Sequence, residues 1–453
     1  MSLARTLFRT LPLTAAVMLA FASNAQAQSL VEIYEAARGY DAGFISAKAQ
    51  LEANLARANQ TLGGILPNIA LSVSQVRTDF QRQVIGVDPV RTPVTELETR
   101  TTSATLIQPI YRPAAWAAYK QGDRQLQQAA AQYEATEHDL LIRVSQAYFD
   151  VLTSEDNLEL VQAQKKAVSE QLASARRNFE VGTATITGVR DAQARFDLSN
   201  AQAIAAENEL RTKRLALNMV VGLSDAKPKR LAKSTVLIEP PKEDVNAWVS
   251  QAQTQSPSVR QAQLAVDVAD FEVDKAMAGH KPTLDAQMTY GRTENLKGTY
   301  ISSYSAAPLT TWNPSVGLVL NVPLFAGFST TYKVKEASAL KNKARSDLEN
   351  ARRITEQATR NTYFSLLSGL SQVKAFEAAE ASSQSALDAN KLGYSVGVNI
   401  NIDVLNSQSQ LYQTKRDLAK ARYDVLVTNL KLRQAAGTLT PADLQPINAL
   451  LTP

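Results

Sequence analysis

Two short stretches 215 positions apart constrain this chain more than any other feature. One is FEVGTATITGVRDAQ, from Phe179 to Gln193; the other is YSVGVNINIDVLNSQ, from Tyr394 to Gln408. Both read aromatic-x-Val-Gly, then a short β-branched run, then Val, then Gln. Each interrupts a long helical pattern, so each is expected to be a turn between two helices. Gly182 and Gly397 suit the position just past a helix end, where φ is positive. The rest of the chain is two copies of one unit built around these turns.

Proline placement sets the frame. No proline occurs in 13–66, 114–227, 258–281 or 324–440. Proline breaks helix interiors, and these windows are rich in the good helix formers Ala, Leu, Gln, Glu, Lys and Arg. A first helix is expected from Ser29 to Leu62. Ile69, Leu71 and Val73 then alternate with Ala70, Ser72 and Ser74, the period of a strand with one apolar face. A polar, proline-bearing segment leads to a second alternation, with Ala104, Leu106 and Gln108 on one face and Thr105, Ile107 and Pro109 on the other. Beyond it, Leu141, Val144, Tyr148, Val151, Glu155 and Leu158 step 3, 4, 3, 4, 3, the seam of a coiled coil. A helix over 114–180 would be about 100 Å long at 1.5 Å per residue. No compact domain buries such a helix. A shorter helix follows the turn and closes at Gly222.

The landmarks then recur. Gly279 and Pro282 stand 215 positions after Gly64 and Pro67. Pro323-Leu324-Phe325 repeats Pro109-Ile110-Tyr111, Tyr363-Phe364 repeats Tyr148-Phe149, and Gly437 repeats Gly222. Leu284, Ala286, Met288 and Tyr290 alternate as a third strand; Val316, Leu318, Leu320 and Val322 as a fourth. Thr359, Tyr363, Leu366, Leu370 and Val373 form the second seam. The expected organisation is a leader over 1–27 and a first repeat over 28–222. That repeat holds strands at 68–77 and 99–111, a long helix at 114–180 and a tip at 181–191. A linker over 223–243 leads to the second repeat, 244–437, with strands at 283–292 and 314–324, a long helix at 329–393 and a tip at 394–406. The tail, 438–453, reads as irregular.

Composition excludes much. There is no cysteine and there are two histidines, His138 and His280, so thiolate metal sites, disulfides, a lipidated cysteine and a histidine-rich cluster are ruled out. No cofactor or metal is expected. No Gly-rich phosphate loop or nucleophile elbow appears, and both histidines read as surface residues, so an enzyme is the weakest class. Arg5, Arg9, apolar 11–22 and Ala25-Gln26-Ala27 read as a secretory leader, the run being too short for a membrane anchor. The formal charge of +5, or +3 without the two leader arginines, is scattered among acids and makes no case for nucleic acid. No other apolar run reaches the length of a transmembrane helix.

Strands of about 10 to 12 residues have the length to cross an outer membrane when tilted. Four strands cannot close a barrel, and lipid leaves no backbone group unpaired, so strands in a membrane would make the protein an obligate oligomer. Tyr111 and Trp116, and Phe325 and Phe328, fall where strand passes into helix. They fit a membrane–water interface and equally well ordinary packing at a junction. The fold class is therefore mainly α with a small β part, tandem-duplicated as helix–strand–strand–long helix–turn–helix.

The ordered, duplicated landmarks resemble the TolC family of outer-membrane secretion and efflux ducts. The resemblance is carried by Val181-Gly182 with Thr187-Gly188-Val189, by Val396-Gly397 with Ile402-Asp403-Val404-Leu405, and by the paired Gly-x-x-Pro, Pro-Ile-Tyr and Pro-Leu-Phe landmarks. It covers essentially the whole chain after the leader. It implies a homotrimer whose 12-stranded outer-membrane β-barrel continues into a long periplasmic α-helical barrel. It also implies a periplasmic adaptor, an inner-membrane ABC or proton-driven pump, outer-membrane lipid around the barrel, and no enzymatic activity. The turns would then be the periplasmic gate. Tyr394 and Asp403 fit the family's gate pattern, and Thr187 fits its threonine. Asn406 stands where a second aspartate is common, Asn399 where an arginine is, and Gly188 where an acid is. Asp403 is expected either to line the pore or to cap the following helix. Within the duct reading, type I protein secretion competes with multidrug or small-molecule efflux; the absent cysteine tilts toward the non-lipidated secretion branch. A soluble periplasmic coiled-coil scaffold is the alternative of a different class.

Overall fold

The computed structural model describes residues 27–81, 83–86, 90–91, 95–183, 185–223, 225–232, 240–241, 243–297 and 309–452. The expected leader, except Ala27, lies outside the described residues, as do 224, 233–239 and 242 of the expected linker. In chain order the elements begin with α1 (Leu30–Tyr40), α2 (Ala42–Gln60), β1 (Asn68–Phe80), the short β2 (Gln83–Val84) and β3 (Val90–Arg91), and β4 (Thr95–Tyr111). They continue with α3 (Pro113–Glu180), α4 (Ile186–Val221), α5 (Val245–Gln255) and α6 (Pro257–Met277). The chain ends with β5 (Thr283–Lys297), β6 (Leu309–Asn321), α7 (Ser329–Ser395), α8 (Asn401–Ala436) and the short α9 (Leu444–Asn448). The protein is mostly helical with a small antiparallel sheet. Among the described residues no helix is long and apolar enough to cross a membrane.

The chain divides into two compact units, and neither is a sequence repeat. Each takes parts of both copies: one comprises 1–48, 133–259 and 352–453, the other 49–132 and 260–351.

In the second unit, β1, β4, β5 and β6 form one antiparallel sheet in that order. Register fixes its faces. Ile69 lies opposite Leu106 and Leu71 opposite Ala104; Leu106 lies opposite Met288 and Ala104 opposite Tyr290; Met288 lies opposite Val316 and Ala286 opposite Leu318. Strand side chains alternate between faces, so these residues share one apolar face. The other face carries Ser72, Ser103, Thr105, Thr289, Gly291, Ser315 and Gly317. Val316 is 81% exposed, Ile69 73% and Leu71 72%. Soluble monomers rarely leave so large a contiguous apolar face in water. The sheet is open, with β1 and β6 each paired on one side only. The strands run past their expected ends at 77, 99 and 292, and β6 begins at Leu309, where polar Thr and Asn continue the ladder. β6 stops at Asn321 instead of 324, since Pro323 has no N–H to offer. Arg112, at the junction with α3, clamps Asp285 of β5 through Nε at 2.9 Å and Nη2 at 2.8 Å.

The first unit has a continuous apolar core. Leu30, Ile33 and Tyr34 of α1 pack with Leu141, Val144, Tyr148 and Val151 of α3, Leu217 of α4 and Leu426 and Leu430 of α8. The first four of the six predicted seam positions on α3 are fully buried. Glu155 instead ion-pairs with Arg214 at 2.8 Å. The second seam buries Thr359, Leu366 and Val373.

Three expectations need correction here. His138, read as a surface residue, is buried. The helix predicted over 29–62 is broken at Asp41, whose Oδ1 accepts from the Phe44 N–H at 2.8 Å and starts a new helix. The tail is not irregular: α9 and its flanks put Leu439, Leu444, Ile447 and Leu451 into the core, and Arg433 ion-pairs with Asp443 at 2.7 Å. Pro441 suits the first turn of the 3₁₀ segment ahead of α9. Gly437 ends α8 at φ 75° with no room for a side chain, since a Cβ would lie 2.5 Å from the Gln255 backbone.

Candidate functional site

The two turns named first lie side by side in the first unit. Each is shorter than its expected span: α3 ends at Glu180 and α4 begins at Ile186, while α7 ends at Ser395 and α8 begins at Asn401. Both leave their first helix through the same bonds. Thr183 N–H donates to Asn178 O at 2.8 Å and Gly182 N–H to Phe179 O at 3.0 Å. Val398 N–H donates to Gly393 O at 2.8 Å and Gly397 N–H to Tyr394 O at 3.2 Å. These are the 6→1 and 5→2 bonds of a Schellman motif. Gly182 at φ 75° and Gly397 at φ 79° supply the left-handed residue it needs.

The second helices start differently. Thr185 caps α4, its Oγ1 accepting from the Gly188 N–H at 3.4 Å and lying 2.7 Å from Thr187 Oγ1. Ile400, at the equivalent position before α8, has no acceptor. There Asp403 reaches back instead, its Oδ2 accepting from the Ile400 N–H at 3.2 Å. Asp403 is thus the third helical residue and not the N-cap, but it does hold the helix start. Among the described residues its Oδ1 has no hydrogen-bond partner.

Amides join the rest. Asn399 Nδ2 donates to Asn390 Oδ1 at 2.7 Å, Asn390 Nδ2 to Ser407 Oγ at 2.5 Å, and Ser407 Oγ to Asp403 O at 2.8 Å. The two turns are stitched together by Asn178 Nδ2, which donates to the Tyr394 hydroxyl at 3.1 Å. Gln171 bonds to Asn401, and Leu405 of α8 packs among Val168, Leu172 and Ala192. Tyr394 also packs on Leu387, Val404 and Leu411. A cleft of about 660 Å³ opens between the turns, lined by Thr187, Asp191, Tyr394, Asn399 and Ile400 among others.

The structure therefore brings Thr187, Tyr394 and Asn399 to one cleft; Asp403 is not among its lining residues, but its carboxylate holds the N–H of Ile400, which is. Asn406 faces elsewhere, accepting at Oδ1 from Arg195 Nη2 at 2.6 Å. Sequence reasoning missed Arg195 and Asn178. Asp191 is the 215-residue counterpart of Asn406, and Arg195 follows it by one helical turn on the same face; that spacing was the available signal. Tyr111, Trp116, Phe325 and Phe328 belong to the second unit. All four are exposed, Phe325 and Phe328 meeting edge to face at 5.4 Å.

Elsewhere in the first unit, the pKa of the Asp156 carboxyl is raised above its ordinary range. Burial pushes its pKa up, while the Tyr423 hydroxyl, which donates to it at 2.7 Å, and nearby Arg230 pull it down. Asp156 lines a separate cleft with Glu159, Arg230, Lys415, Arg422 and Tyr423, apart from the turns. Among the described residues no group of three or more His, Cys, Asp or Glu can hold a metal ion.

A family model described as outer membrane efflux protein matches residues 17–223 and 248–438. The chain is 33% identical over 448 residues to the outer membrane protein TolC of Vibrio cholerae, covering 97% of this chain and 98% of that one. It is 29% identical to the alkaline protease secretion protein AprF of Pseudomonas aeruginosa, covering 96% and 89%. Its fold is similar to the crystal structure of the outer membrane protein VceC from Vibrio cholerae, with a TM-score of 0.76 at 17% identity over 90% of this chain and 96% of that one.

Proposed function

The chain belongs to the outer membrane efflux protein family, and from that premise we propose that it is the passive exit duct of a tripartite export system. The protein is an outer-membrane protein of a Gram-negative cell. The observation that carries the duct reading is the sheet: four strands, one apolar face, one hydroxyl-rich face and two free edges. An apolar face suits lipid and a Ser/Thr/Gly face suits a wet lumen. Free edges are unacceptable in lipid, so other copies must pair with β1 and β6. Three copies give 12 strands, a size that closes with room for a channel. Tyr111, Trp116, Phe325 and Phe328 then serve as the interfacial girdle.

In this reading the paired turns are the periplasmic gate. Asp403 contributes a ring of three carboxylates, while Asn399 and Asn390 hold the turn by amide contacts in place of a charged lock. A periplasmic adaptor and an inner-membrane pump, ABC or proton-driven, supply cargo and energy. The kind of cargo proposed is protein, as in type I secretion, supported by the likeness to the protease secretion protein and by the absence of any cysteine for a lipid anchor. Small-molecule efflux is the second reading.

Fractionation and bilayer recording test the duct. The protein should remain with outer membranes after osmotic shock, and the purified oligomer should give discrete single-channel currents. Release into the soluble fraction, or an oligomer that never conducts, would sink the proposal. Deleting the gene should abolish secretion of one extracellular protein without altering drug susceptibility. The reverse pattern would decide for efflux.

A further inference from the structure

A second cleft in the first unit has a different chemistry from the gate. It lies among α3, α4 and α8, has a volume of about 470 Å³, and is lined by Gln164, Arg195, Asn406, Gln410, Gln413 and Arg416 among others. Two guanidinium groups face it and no carboxylate lines it. Each is partnered by an amide oxygen: Arg195 by Asn406 and Arg416 by Gln413. An amide satisfies a donor without neutralising its charge, so both positive charges remain. Asp191, one helical turn before Arg195, lines the cleft between the turns instead, and two further acids on these helices are turned to other amides. Asp197 accepts from Gln193 Nε2 at 3.0 Å, and Asp417 accepts from Gln413 Nε2 at 2.9 and 3.1 Å. Gln164, only 9% exposed, lines the same cleft with its Oε1 unpartnered.

We propose that this cleft is a binding site for carboxylate-bearing solutes, with Arg195 and Arg416 as the two cationic ligands and Asn406 holding Arg195 in place. The planar fork of a guanidinium matches a carboxylate in two-point contact. Two forks across one cleft suit a di- or tricarboxylate, or neighbouring acidic side chains of an extended peptide. The identity of residue 406 is decisive. An aspartate there would ion-pair with Arg195 and occupy the site from within; the amide leaves the cation available. The site's place on a transport path rests on the duct reading, while the binding itself does not.

Titration calorimetry of the purified full-length protein with citrate, at low salt, tests the binding. Saturable binding is expected, weakened roughly tenfold or more by Arg195→Gln and by Asn406→Asp, the second of which keeps shape and hydrogen bond. Absence of saturable binding, or equal binding by all three proteins, overturns the proposal. Single-channel recording separates this from the duct. Citrate added from the side of the turns should reduce current through the wild type and not through Asn406→Asp. Citrate binding without any channel current would sink the duct and leave the site standing. Normal currents without citrate binding would do the opposite.

Discussion

The two turns leave their first helices identically and begin their second helices by opposite means. On the way out, the backbone bonds match residue for residue, both turns closing their carbonyls in the Schellman pattern around a left-handed glycine. On the way in, a complete capping box would use two bonds: the N-cap side chain to the third residue's N–H, and the third residue's side chain back to the N-cap N–H. The first turn keeps the forward bond, from Thr185. The second keeps the returning bond, from Asp403. Duplication preserved the backbone and let the side chains part. That division leaves a hydroxyl, Thr185, in the lining of the cleft at the first turn, while at the second the Asp403 carboxylate closes the helix start without lining the cleft.

Local amide hydrogen exchange around 178–190 and 393–405 reads these differences directly. The largest effect should come from Gly182→Ala and Gly397→Ala. Each forces a side chain into positive φ in otherwise open space, costing about 1–2 kcal/mol, and the two costs should match. A cost at one turn only would break the equivalence of the exits. Next is Gly393→Ala, whose Cβ would lie 2.6 Å from Asn399 Nδ2. Losing the Asn399–Asn390 bond should cost about 1 kcal/mol and loosen the second turn alone; faster exchange in the first turn as well would mean the two are coupled. Thr185→Ala should cost about 1 kcal/mol, and Asp403→Ala somewhat less. Asp403→Asn should in addition relieve block of channel current by multivalent cations, and an unchanged block would remove Asp403 from the constriction. The smallest effect is a gain. Ile400→Thr would complete the box with Asp403 and add a few tenths of a kcal/mol, seen as slower exchange at 400–403. No change there would mean that Asp403 alone already satisfies the helix start.

The duplication, the long helices and the strands were legible because proline placement and period-two alternation are local signals. The break at Asp41 was not, because a single aspartate within a helical pattern gives no warning that its carboxylate will cap Phe44. The tail was misread for a related reason. Its three prolines suggested irregularity, while Leu439, Leu444, Ile447 and Leu451 acquire their meaning only from a core made of distant helices. At the turns, Tyr394, Asn399 and Asp403 could be singled out by resemblance, but Arg195 could not. Its partner Asn406 lies 211 positions away, and the two are joined only through the repeat, which equates Asn406 with Asp191, one helical turn before Arg195.

The ladder between β4 and β5 has a consequence for assembly. It joins the last strand of the first repeat to the first strand of the second, so the chain already contains one seam between repeats. Its free edges, β6 and β1, are the duplicates of those same two strands. A second copy meeting them would reproduce the internal seam, giving the closed ring a pseudo-sixfold symmetry from three chains. Transferring the pairing of Leu106 with Met288 by the repeat offsets sets Leu320 of one copy against Val73 of the next. In a protein without cysteine, a disulfide between those two positions would read that register with no background.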